Sequence, residues 1–215
     1  MESAAYYLAL LILLVAPPYI FVYWFLLHPF AHHWRRLGAS ITFLIVHSVM
    51  LLLMVVIFHF REPLLQSHFE VNGLLLSLAV LLFLVALYIG VQRGRYLTFP
   101  ILIGLPELSS DNPGKLLTEG IYSQIRHPRY VEGFFGLAAF ALFTNYLAVY
   151  IVWVAYVPTI FLIVLFEERE LRQRFGEPYM VYCRQVPRFV PSFRKGKNLE
   201  VKNQHDPDNR RSTVV

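Results

Sequence analysis

Three long apolar runs come first along the chain, Ala4 to Leu27, Gly38 to Phe60 and Val71 to Val91. None shows the two-residue alternation of a half-buried strand, and none has the polar stripe of a helix on a water-soluble core. At about 1.5 Å per residue, each is long enough as a helix to cross a hydrocarbon layer of roughly 30 Å. A fourth apolar region, Val131 to Phe166, holds 36 residues and one charge, Glu132. As one helix it would extend about 54 Å, too far for a single crossing. The pattern therefore predicts a hairpin turning near Thr144-Asn145, with two arms of about 17 residues each. Gly133, Gly136, Ala138, Ala139 and Ala141 on the first arm permit close helix approach, and Pro158 is expected to kink the second.

The expected architecture is an all-α integral membrane protein, a five-helix transmembrane bundle with a C-terminal helical hairpin. Three N-terminal transmembrane helices occupy 1–91. A second half, 92–192, comprises a long polar loop, the hairpin and a C-terminal helix, and 193–215 is expected to be a disordered tail of Lys, Asn, Asp and Arg. Turn residues punctuate the loop from Gln92 to Arg129, among them Asp111-Asn112-Pro113-Gly114. After the hairpin, Glu167 to Gln185 reads as a separate charged helix, or two short ones broken at Gly176-Glu177-Pro178.

Composition agrees with this reading: 57% of the 215 residues are hydrophobic and 15% charged, and the mean hydropathy is +0.52. The net charge of +5 could suggest a nucleic-acid partner, but the basic residues follow the membrane instead. With five spans, Arg35, Arg36, Arg93, Arg95, Lys115, Arg126, Arg129 and all those after Glu167 share one face, leaving only Arg61 of the 19 on the other. The positive-inside rule then puts the N-terminus outside and the C-terminus in the cytoplasm. Met1-Glu2-Ser3 carries no positive charge before a run too long for a signal-peptide core, so that helix is expected to be retained. One cysteine, Cys183, rules out an internal disulfide or a thiolate cluster. His28, His32 and His33 lie at a span boundary without a carboxylate partner and read as interfacial packing; no metal site is expected. His47 and His59, inside the second span, read as interhelical hydrogen-bond partners.

Two polar segments flank the hairpin, and folding it brings them together: T-E-G-I-Y-S-Q-I-R-H-P-R-Y before it and E-E-R-E-L-R-Q-R-F-G-E-P-Y-M-V-Y-C-R-Q-V-P-R after it. Over roughly residues 114 to 191, these two ordered motifs and the interval between them resemble the isoprenylcysteine carboxyl methyltransferases, and membrane phospholipid methyltransferases are similar in the same half. The resemblance implies an integral-membrane enzyme using S-adenosylmethionine in a cytoplasmic pocket, with a lipophilic acceptor arriving from the membrane lipid. It places cofactor contacts on Lys115, Leu116, Leu117, Tyr122, His127, Pro128, Arg129, Tyr130 and Glu167. Such a cofactor carries a carboxylate, an ammonium, a ribose diol and a sulfonium, which call for cationic donors, a carboxylate and aromatic faces. Arg126 is a candidate catalytic residue, and Glu132 or Glu168 could take a proton from an amine or hydroxyl acceptor.

The sequence departs from the prenylcysteine pattern at three places. Ile163 stands where those enzymes carry an arginine assigned to the substrate carboxylate, Glu132 replaces a small residue, and Gln185 replaces an arginine, with Arg184 beside it. The resemblance thus carries the cofactor further than a prenylcysteine acceptor. The alternatives are a phospholipid or isoprenoid-lipid N- or O-methyltransferase, a membrane reductase similar in its C-terminal half, and a non-enzymatic membrane module.

Overall fold

A computed structural model describes residues 2–27, 29–96 and 116–191. Among these residues there is no strand, and they form nine α-helices. Lys115, most of the long polar loop and the tail 193–215 lie outside the described residues.

Helix α1 (Glu2–Ala16) is apolar on all sides, as a helix facing lipid and protein at once must be. It runs into Pro17-Pro18, neither of which has an N–H to donate, and the next six residues, Pro17–Val22, adopt wider π-helical turns before α2 (Tyr23–Leu27) resumes. Short α3 (Ala31–Leu37) leads to α4 (Ala39–His59), then to the single turn α5 (Arg61–Leu64). Helix α6 (Gly73–Gly94) starts at Asn72, whose side chain accepts from the Leu75 N–H at 2.9 Å. A 3₁₀ turn (Gly120–Ser123) precedes α7 (Pro128–Thr144), which opens on Pro128, a residue whose missing N–H has no intrahelical partner to lose. Helices α8 (Leu147–Phe175) and α9 (Glu177–Gln185) are the last among the described residues.

Ser3–Leu27, Ala39–His59, Gly73–Gly94 and Leu147–Phe175 are long and apolar enough to cross a membrane. The shorter α7, with 17 residues, packs most extensively against α6. Large apolar side chains on α4 and α6, including Leu44, Leu52, Leu74 and Leu84, face outward, a surface suited to lipid. Inside, Ala9 and Leu13 of α1 meet Leu137 and Ala141 of α7 and Val149, Tyr156, Ile163 and Val164 of α8.

The hairpin turns where the pattern predicts. Asn145 sits in the left-handed region at φ 55°, its N–H bonded to Ala141 O at 2.9 Å. Its side-chain amide donates to Glu70 O at 2.9 Å and accepts from Tyr150 Oη at 2.8 Å. Phe69 N–H bonds to Asn145 O and Leu147 N–H to Ser67 O, so the loop before α6 is fastened to the turn. Asn145→Ala is expected to destabilise the protein by about 2 kcal/mol, from the lost side-chain bonds and the strained φ. Asn145→Gly, which removes only the bonds, should cost less. Thermal unfolding of the two variants in detergent checks the order.

The second arm differs from expectation. Instead of ending near Phe166 with a separate charged helix after it, α8 continues through Pro158 to Phe175. At 29 residues it is about 43 Å long, so its charged end extends well beyond a single hydrocarbon thickness. The acids and bases at 167–174 are good helix formers and continue the helix, with Glu168 and Glu170 turned inward and Arg169 and Arg172 outward. The break falls at Gly176, whose φ of 61° and ψ of −133° suit glycine, and Arg172 and Arg174 in the last turn complement the helix dipole.

Candidate functional site

Residues 116–130 and 167–191 meet at one end of the bundle. Arg126 N–H donates to Pro187 O at 2.9 Å and His127 N–H to Arg188 O at 3.1 Å, so the R-H-P and V-P-R stretches are joined through their backbones. Tyr182 Oη donates to Tyr122 O at 2.6 Å, tying α9 to the 3₁₀ turn.

Glu168 lies at the centre of this junction and is 1% exposed. Its oxygens receive Arg188 Nε at 3.0 Å and Arg188 NH2 at 2.8 Å, Arg126 NH2 at 2.9 Å, Arg172 NH2 at 3.2 Å and His127 Nε2 at 3.3 Å. With both oxygens so engaged, this carboxylate organises the cations of the two motifs. The hydrogen bond to Glu168 raises the Arg188 pKa. Arg188 is a central partner that the sequence reading left out; V-P-R was visible as a motif ending, without a sign of which side chain it would meet.

Next to the junction is a polar cavity. Leu116, Leu117, Tyr122, Arg126, His127, Pro128, Arg129, Tyr130 and Glu167 all line it, joined by Leu171, Arg174, Phe175, Tyr179 and Tyr182, which the sequence reading did not assign to a site. Tyr130 Oη donates to Glu167 Oε2 at 2.7 Å and accepts from Arg129 NH2 at 2.6 Å. His127 Nδ1 lies 3.6 Å from the same Glu167 oxygen, which places the imidazole between Glu167 and Glu168. Burial pushes the Tyr122 hydroxyl up to about 12, against the lowering effect of Arg129 and Arg93, and burial also raises Tyr179 and Tyr182. These phenols remain protonated donors at neutral pH. The buried Tyr179 hydroxyl has no hydrogen-bond partner among the described residues.

Glu132 occupies a different place. It forms a two-point ion pair with Arg93, at 2.6 Å to Nε and 3.3 Å to NH2, in a cleft between α6 and α7 that also contains Arg129. Gly90 makes room for it, since a Cβ there would fall 2.8 Å from Glu132 Oε1. Of the three residues expected to act in catalysis, Arg126 and Glu168 are paired at 2.9 Å, with Arg126 reaching the polar cavity and Glu168 behind it, while Glu132 stands apart in the neighbouring cleft.

On the other side of Tyr130 is a cavity of about 720 Å³ formed by α6, α7, α8 and the segment 189–191. Val85, Ile89, Phe134, Phe135, Ile160 and Phe189 give it apolar walls, and among the described residues no Asp, Glu, Lys or Arg lines it. Tyr156 Oη donates to Tyr130 O at 2.9 Å and fixes the backbone between the two cavities. Tyr130 thus presents its hydroxyl to the polar cavity while lining the apolar one.

Residues 74–178 match the family model described as phospholipid methyltransferase. This stretch of the chain, just under half of it, is similar to that family. It runs from the start of α6 through α7 and α8 into α9, and so contains the paired helices, the R-H-P segment and both Glu167 and Glu168. Helices α1 to α5 precede it. No curated protein matches the chain. The match and the four long apolar helices together point to a multi-pass membrane protein similar to methyltransferases.

Proposed function

We propose that the protein transfers a methyl group from S-adenosylmethionine, bound in the polar cavity, to a lipophilic acceptor held in the apolar one. The observation that carries this reading is Tyr130, shared by a cavity rich in cationic and phenolic donors and a cavity with no charged residue among the described ones. Few arrangements other than a polar cofactor meeting an apolar substrate call for both on either side of one residue.

The residues present fit the cofactor. Arg126, Arg174 and His127 are suited to its carboxylate, Glu167 to its ammonium or ribose diol, and Tyr122, Tyr179 and Tyr182 to its sulfonium and ring. Tyr179 supports the fit most directly, because its buried hydroxyl awaits a partner. When bound, the cofactor supplies an electrophilic methyl group. The chain's own contribution is alignment and exclusion of water, which suffice for an in-line displacement. On the charge distribution, the cavity opens to the cytoplasm and the N-terminus lies outside.

Ile163, fully buried in the apolar core, offers no clamp for an acceptor carboxylate. A phospholipid or other lipid amine or hydroxyl suits the site better than a prenylcysteine, in line with the description of the matching family.

The test is calorimetric titration of detergent-purified protein with S-adenosylhomocysteine, followed by transfer of labelled methyl from S-adenosylmethionine into a lipid extract. Saturable binding with label in an extractable lipid is the expected result. A folded protein that binds no S-adenosylhomocysteine would overturn the reading and favour a reductase or a non-enzymatic module, which binding of a nicotinamide cofactor would then separate.

A further inference from the structure

The first apolar span reaches the edge of the site at Trp24 of α2, which contacts Arg129. Trp24 follows the π-helical stretch Pro17–Val22, in which each residue advances the helix by less than it would in an α-helix, so α2 faces a different direction from a straight continuation of α1. Its indole lies under the guanidinium of Arg129, with Cζ 4.4 Å from the ring centroid, while the Tyr130 ring lies 4.7 Å from the same carbon. The guanidinium is therefore in contact with two aromatic rings as it donates to Tyr130 Oη.

Arg129 lines both the polar cavity and the cleft holding the Arg93–Glu132 pair. A long side chain at such a boundary can turn toward Glu167 on one side or Glu132 on the other. The indole face selects the first, because a planar guanidinium stacked on Trp24 keeps its NH2 directed at Tyr130, and Tyr130 in turn donates to Glu167. We propose that Trp24 is a positioning residue for the cofactor cavity, acting through Arg129 and Tyr130 on Glu167. This rests on the reading of that cavity as the S-adenosylmethionine site. It also gives the N-terminal helices, which lie before the family match, a part in building the site.

The test is a double-mutant cycle read by calorimetric binding of S-adenosylhomocysteine to the full-length protein in detergent. Trp24→Leu, which keeps apolar bulk but removes the ring, is expected to weaken binding about tenfold, and Trp24→Phe, with a poorer cation-binding face, about threefold. In an Arg129→Ala background the same Trp24 substitutions should weaken binding no further. Equal losses in both backgrounds, or wild-type affinity in a Trp24→Leu protein with an unchanged unfolding midpoint, would overturn the proposal. Should Trp24→Leu fail to fold, the Phe pair decides by the same rule. If the wild type itself binds no S-adenosylhomocysteine, the cofactor reading falls and this proposal with it, whereas wild-type binding that ignores Trp24 sinks this proposal alone.

Discussion

Glu168→Ala is expected to lose about 3–5 kcal/mol of stability, the range found when one member of a buried ion pair is removed and its partners are left behind. The carboxylate is 1% exposed, and Arg126, 8% exposed at its side chain, would remain beside His127 with no compensating anion in contact on that side. The loss spreads beyond the pair, because Arg126 and His127 belong to the segment before the hairpin, Arg172 to α8 and Arg188 to the segment after α9. Glu168→Gln keeps an acceptor but not the charge, and should fall between wild type and alanine. Denaturant or thermal unfolding in one detergent, followed by tyrosine and tryptophan fluorescence, reads all three. A wild-type midpoint for Glu168→Ala would show that the carboxylate is not what holds the junction together.

Glu167 should behave in the opposite way, although it is the adjacent residue. Its side chain is 20% exposed and borders the polar cavity. Glu167→Ala is expected to leave the unfolding midpoint within about 1 kcal/mol of wild type, while weakening S-adenosylhomocysteine binding by about 10–100-fold, the size of one or two lost charge-assisted hydrogen bonds. The loss of its acceptor would also release Tyr130 Oη. Glu167→Gln should recover part of the affinity, since an amide oxygen still accepts from Tyr130. Calorimetry on the three proteins checks the order, and equal affinity across them would remove Glu167 from the binding site.

Much of this was legible in the chain. Asn145 announced the hairpin because 36 apolar residues cannot make one crossing and because asparagine tolerates the left-handed turn. The polar segments on either side then had to meet. What stayed hidden depended on side-chain partners rather than on pattern. The charges at 167–174 looked like the start of a new element, since a run of acids and bases resembles a solvated helix start; as strong helix formers they continue α8 until Gly176 ends it. Glu167 and Glu168 are indistinguishable as letters, and only the 100° between neighbouring helical positions sends one toward the cavity and the other into the junction. Arg188 and Trp24 were out of reach for the same reason. The first lies beyond the motif's obvious acids and the second in a helix that is apolar on every side, where no residue stands out by hydropathy.

The backbone pairing of Arg126 and His127 with Pro187 and Arg188 also sets an order of events in folding. The neighbouring tie from Tyr182 to Tyr122 closes a loop of 60 residues that contains the whole hairpin. Closing a longer loop costs little more than closing a short one, since the entropy grows only with the logarithm of length, but closure must wait for both ends. During synthesis α1 to α7 can pack as they emerge, while the polar cavity stays open until α9 and the segment after it have left the ribosome. The site is thus assembled last, and a nascent chain stalled before α9 would have its apolar bundle but no formed cavity.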